Sequence, residues 1–212
     1  MTGPPGVRRP IRAVVFDIGG ILEPPFDDVL VPALTSMLGI TAENFRRHRA
    51  EHGLALTQGK LTLADFYAHV VAAGHHHVDP GDLLGCHLAI YAAETARLDS
   101  RVLELVERLR RHYVVACLTN TEVEVGRFNR DRGLYRPFDR AFLSTELGLG
   151  KPDRAVFEHV LAELYCAPQE TVFTDDNVHY TMGARAVGMH AIQYRGFESF
   201  SGDLTKLLGL DA

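Results

Sequence analysis

Four short apolar runs constrain this chain most, because stretches of helical spacing separate them. They read Ile11-Arg-Ala-Val-Val-Phe-Asp17, Tyr113-Val-Val-Ala-Cys-Leu-Thr119, Thr171-Val-Phe-Thr-Asp175 and His190-Ala-Ile-Gln-Tyr194. A continuous apolar run of this length predicts a strand covered on both faces. The first is followed by Gly19-Gly20, as expected of a strand opening into a tight loop. Helical spacing recurs over 100–111, 121–133, 152–165 and 178–187, and 140–144 supplies a fifth, shorter strand. Alternating strands and helices predict a parallel sheet wound by right-handed crossovers, an α/β Rossmann-like three-layer sandwich.

One stretch breaks the alternation. From about residue 25 to residue 91 several helical patterns occur without a strand, which predicts a small helical cap domain at 25–91 inserted into a core made of 1–24 and 92–212. Its clearest helix starts at Thr62-Leu-Ala-Asp65, a pattern like a capping box ahead of Phe66, Val70 and Val71. The insertion leaves the core just after the first strand's loop. It is therefore expected above the carboxyl end of the sheet, where open parallel sheets bind ligands.

Composition removes several classes of function. With 212 residues, 46% hydrophobic and 23% charged, the chain has an ordinary globular balance. The net charge of -5 and the scatter of the 22 basic residues leave no positive stripe for a nucleic acid. Cys86, Cys117 and Cys166 are too few and too scattered for a disulfide framework or a thiolate metal cage. No stretch reaches the length of a membrane span, and the opening residues lack the apolar segment of a secretory leader, so a cytoplasmic location is expected. Lysine is scarce, at Lys60, Lys151 and Lys206 only, so each one carries information.

Asp17, Thr119, Lys151 and the pair Asp175-Asp176 fall at or just after carboxyl ends of the expected strands. Taken singly, an Asp after a strand is usually a cap or turn residue, Thr119 a strand-end cap and Lys151 a surface charge. Taken together, Val14-Val-Phe-Asp17-Ile-Gly-Gly, Cys117-Leu-Thr119-Asn120, Glu146-Leu-Gly-Leu-Gly-Lys151-Pro-Asp153 and Val172-Phe-Thr-Asp175-Asp176-Asn177 resemble the four motifs of the haloacid dehalogenase-like superfamily, in order, over residues 11–194. Pro152 suits the first position of the helix that follows Lys151.

The resemblance implies a Mg²⁺-dependent phosphatase acting on a small phosphorylated metabolite, a sugar phosphate among them, through an aspartyl-phosphate. It implies Asp17 as nucleophile and Thr119 and Lys151 as catalytic partners, with the backbone N–H of Asn120 holding a phosphate oxygen. Asp17, the Gly19 carbonyl, Asp175 and Asp176 become the metal ligands. Gln58 and Lys60, in a segment that resembles the cap loop facing the active site, become substrate-binding candidates. A monomer or homodimer is expected.

Physical chemistry points the same way. Repulsion between a carboxylate and a phosphate is roughly 4 kcal/mol per unit pair at about 4 Å and an effective dielectric near 20. Doubled for a dianion, that is about six powers of ten in rate. The site needs concentrated positive charge. Lys151 can supply some, as can a hard cation held by carboxylate oxygens. Lys151 is expected to face the phosphate and to contribute little to the core.

Gly19 departs from the family pattern, because phosphatases of this superfamily usually carry a second Asp there as general acid and base. Two readings compete with an active phosphatase: a catalytically weak phosphate-binding or regulatory module of the same fold, and a metal-independent haloacid dehalogenase. The acidic pair Asp175-Asp176 argues against the latter. His75-His76-His77 reads as a solvated loop rather than a metal tract, and Arg46, Arg47 and Arg49 read as a solvated helix face.

Overall fold

The computed structural model describes residues 10–74 and 77–210. His75 and His76 lie outside the described residues, and His77 is exposed in a loop. In chain order come β1 (Ala13–Phe16), then α1 (Asp27–Leu38), α2 (Ala42–Thr57), α3 (Leu63–Gly74) and α4 (Pro80–Glu94). Next are α5 (Ser100–Leu109), β2 (Val114–Thr119), α6 (Val123–Asp131), β3 (Arg140–Leu143), α7 (Ser144–Leu147) and α8 (Arg154–Glu163). A 3-10 turn at Pro168–Glu170 leads into β4 (Thr171–Asp175), α9 (Val178–Ala186), β5 (His190–Gln193) and α10 (Phe197–Leu208).

All five strands are parallel, in the order β3-β2-β1-β4-β5. This is the three-layer α/β sandwich expected from the sequence. Successive strand residues face opposite sides, so β1 feeds two cores. Val14 and Phe16 pack with Val102 and Leu105 of α5 and with Phe200 and Leu204 of α10. Ala13 and Val15 pack with Val156, Phe157 and Val160 of α8 and with Ala184 of α9. Helix α10, which sequence reading did not anticipate, completes the first of these layers.

Helices α1 to α4 share a third core built on Leu34, Phe45, Leu63, Phe66, Tyr67 and Leu83, and Val125 of α6 joins it. The expected capping box at α3 is present: Thr62 Oγ1 accepts from Asp65 N at 3.0 Å and Asp65 Oδ2 from Thr62 N at 3.3 Å. A second carboxylate caps the same helix from across the molecule, since Glu124 of α6 accepts from Leu63 N at 3.1 Å and Ala64 N at 3.2 Å. Arg49 is partly exposed and paired. It donates to Glu122 at 2.8 Å, beside the carboxyl end of β2. Among the described residues, no helix is long and apolar enough to cross a membrane.

Two helix starts differ from expectation. Thr121 stays outside α6 because its N–H donates to Ser144 Oγ at 3.0 Å, and the helix begins at Val123. Pro152 is not the first residue of α8, which starts at Arg154 after Asp153. The displacement leaves Lys151 in a loop whose backbone is clamped from both sides by one side chain, as the site shows.

Candidate active site

Each strand delivers its polar residue where its apolar run ends, so parallel strands collect those residues at one edge. Asp17 follows β1, Thr119 closes β2 and Asp175 closes β4. Lys151, from the loop before α8, reaches between them. Its Nζ lies 2.8 Å from Asp17 Oδ1 and 2.6 Å from Asp175 Oδ2. The Asn120 side chain holds that loop: Lys151 N donates to Asn120 Oδ1 at 2.9 Å, and Asn120 Nδ2 donates to Lys151 O at 2.9 Å. Asn120 thus positions the lysine with its amide, a role the sequence did not suggest. The Tyr180 ring, also not anticipated, stands 4.8 Å from the ammonium.

Lys151 is 4% exposed, which overturns the expectation of a lysine that does little for the core. Burial opposes its charge, yet Asp17 and Asp175 outweigh burial and hold its pKa above the ordinary value. The carboxylates feel the opposite pressure. Burial first, and the charge of Asp17 second, push Asp175 up to about 7 against the pull of Lys151. The same two causes raise Asp176. One ammonium is too little positive charge for this cluster.

Asp17, Asp175 and Asp176 each offer an oxygen within 4.8 Å of the others, a donor set that fits a hard divalent cation. The glycine pair divides its tasks. Gly20 has φ +70°, and a Cβ there would sit 2.2 Å from Asp176 Oδ2, so the loop lies too close to Asp176 for a side chain. At Gly19 an added Cβ would meet nothing within 4 Å. No carboxylate stands there, although there is room for one.

Asp17, Gly19, Thr119, Asn120, Lys151 and Tyr180 line one cavity of about 250 Å³. Gln58 and Lys60 do not line it. Gly59 between them is pressed against Thr145, where a Cβ would come within 2.7 Å of the backbone oxygen, and Lys60 is exposed. Their segment is nonetheless close, since Thr57 abuts Gly150 beside the lysine. Glu23, which sequence reading passed over, does line the cavity. It is 6% exposed, accepts from Tyr91 Oη at 2.7 and 2.9 Å, and pairs with Arg132.

A parallel sheet presenting an acidic triad and a buried lysine at its carboxyl edge defines a class of hydrolase site. The chain belongs to the haloacid dehalogenase-like hydrolase family, whose model matches residues 11–188. It is 24% identical to drimenol cyclase drtB of Aspergillus calidoustus over 95% of this chain, which spans 37% of that protein's length. It is 27% identical to D-ribitol-5-phosphate phosphatase of Bacteroides thetaiotaomicron, over 93% of this chain and 98% of the relative. It shares its fold with an HAD family enzyme of Bacteroides thetaiotaomicron solved in complex with magnesium and inorganic phosphate (TM-score 0.74, 21% identity, covering 91% of this chain and 98% of the other).

Proposed function

We propose that this chain is a Mg²⁺-dependent phosphatase that hydrolyses a small phosphorylated metabolite through an aspartyl-phosphate on Asp17. The observation that carries the reading is the contact group of Asp17, Lys151, Asp175 and Asp176 at the carboxyl edge of the sheet, of which Asp17 and Lys151 line the small cavity. The relative that is a D-ribitol-5-phosphate phosphatase and the neighbour with magnesium and phosphate support it.

In this reading an Asp17 carboxylate oxygen attacks phosphorus, the bond from phosphorus to the leaving oxygen breaks, and water then hydrolyses the acyl phosphate. Lys151 neutralises equatorial charge. The Thr119 hydroxyl, which makes a long 3.5 Å approach to Asn120 O, donates to a phosphate oxygen. Asp17, Asp175, Asp176 and the Gly19 carbonyl hold Mg²⁺, which supplies the positive charge that one lysine cannot. The helices from α1 to α4 act as a cap over the cavity.

A binding experiment tests the reading without turnover. Because the folded pKa values of Asp175 and Asp176 are raised, the stability these groups allow is present below the ordinary carboxylate range and is lost as pH rises through the folded values. The cation binds the deprotonated cluster, so its stabilisation must grow with pH. Saturating Mg²⁺ with inorganic phosphate, at about a hundred times the dissociation constant, is expected to add about 2.7 kcal/mol. That corresponds to a rise in Tm of about 5–10 °C, observed near pH 8 and much smaller near pH 5.5. A melting curve indifferent to Mg²⁺ and phosphate at every pH would contradict the reading.

A further inference from the structure

Among the described residues Lys151 is the one cation that lines the cavity, and the groups that now hold it are those the reaction engages. Its Nζ lies 2.8 Å from Asp17 Oδ1 and 2.6 Å from Asp175 Oδ2. On the phosphatase reading Asp17 becomes an acyl phosphate, and both carboxylates also give oxygens to the cation. A buried ammonium relieved of those anions stays aimed at a phosphoryl group only if something else holds it.

Aromatic rings supply that hold. Tyr180, half-buried on α9 and itself part of the cavity lining, places its ring under Nζ, 4.8 Å from the centroid. Phe173 of β4, fully buried, has its ring centroid 5.6 Å from the same ammonium. An ammonium within about 6 Å of a ring centroid is drawn to the ring's electron-rich face. The ring adds no charge to a cluster that already carries the carboxylates of Asp17, Asp175 and Asp176. The fold fixes the Tyr180 ring from two sides. Asn177 ties the start of α9 to Asp175, since its N–H donates to Asp175 Oδ1 at 2.8 Å and its side chain accepts from His179 N at 2.9 Å. Three residues beyond Tyr180, on the same helix face, Gly183 lets α9 lie against the loop of Lys151, because a Cβ there would come within 2.8 Å of Pro152 O. Asn120 Nδ2 reaches Tyr180 Oη only at 3.5 Å, a weak contact, so the ring face rather than the hydroxyl serves the lysine.

We propose that Tyr180 is a positioning residue for phosphoryl transfer, its ring face keeping the Lys151 ammonium directed at the phosphoryl group once Asp17 and Asp175 are engaged with substrate and cation. This rests on the phosphatase reading of the site. Asn120 fixes the backbone of the lysine, and Tyr180 fixes its charged end.

The test is a double-mutant cycle on the full chain, with hydrolysis of 4-nitrophenyl phosphate followed in saturating Mg²⁺. Calorimetry measures the binding of Mg²⁺ alone and of inorganic phosphate in its presence. Tyr180→Leu should lower kcat about tenfold, the scale of one desolvated cation–ring contact, and leave the binding of Mg²⁺ alone unchanged. Tyr180→Phe, which keeps the ring, should recover most of that loss. In the Lys151→Ala background Tyr180→Leu should cost nothing further, because the ring acts through the ammonium. An equal loss from Tyr180→Leu with and without Lys151, or a Tyr180→Phe variant as slow as Tyr180→Leu, overturns the proposal and leaves the phosphatase reading standing. If the unaltered protein hydrolyses no ester, the phosphatase reading fails by itself and phosphate binding decides for the ring. Affinity lowered by Tyr180→Leu and kept by Tyr180→Phe then supports the hold of the ring on the lysine, and equal affinities overturn it.

Discussion

Asp17→Asn will lower phosphate release by about four powers of ten or more, the scale seen when a covalent nucleophile is removed. An amide is nearly the same shape as the carboxylate, so Asn Oδ1 can still accept from Lys151 and from Ile18 N, which now lies 2.7 Å from Asp17 Oδ1. The fold should be undisturbed. Stability without metal should hold or rise, because the charge of Asp17 is one of the causes that raise Asp175 and Asp176. Melting and turnover must therefore move independently. A variant that keeps turnover would remove Asp17 from the chemistry, and one that unfolds would make it structural.

Lys151→Ala will lower turnover by about a thousandfold or more, as loss of a charge aimed at a transferring phosphoryl group does. Here the structure changes what the sequence led one to expect about stability. Lys151 is buried between Asp17 and Asp175, so its removal strands two carboxylates. Breaking a buried pair typically costs about 3–5 kcal/mol. Protonation of Asp175 can relieve part of that cost, because its pKa is already raised. The loss in Tm should accordingly be largest at alkaline pH without Mg²⁺ and smallest under mildly acidic conditions. A loss in Tm without a loss in phosphate release would make the lysine a core residue alone.

The strands, Asp17, Thr119 and Asp175 are legible because each of these polar residues lies where an apolar run ends. That is a local signal. The parallel sheet turns this repeated local pattern into convergence of Asp17, Thr119 and Asp175, while Lys151 joins them from the loop before α8. Glu23 was not legible, since its partner Arg132 lies 109 positions away and neither residue stands at a strand end. Tyr180 was missed for a similar reason: it is an ordinary helical position until the loop of Lys151 packs against it. Asn120 was read by its backbone N–H, while its side chain does the positioning. For Gln58 and Lys60 the sequence gives the nearness of their segment but not the direction of its side chains. Two residues can share a loop beside a cavity without lining it.

Gly19 has the most bearing on rate. The space at this position is open, yet no acid occupies it, so nothing there protonates the leaving oxygen. The most direct measurement is phosphate release from a series of small monoesters of graded leaving-group acidity, with Mg²⁺ and again after chelation. Release that requires Mg²⁺ and rises steeply with leaving-group acidity is the expected result. Release that continues unchanged after chelation, or none from any ester while Mg²⁺ and phosphate still bind, would contradict Mg²⁺-dependent phosphoryl transfer at Asp17.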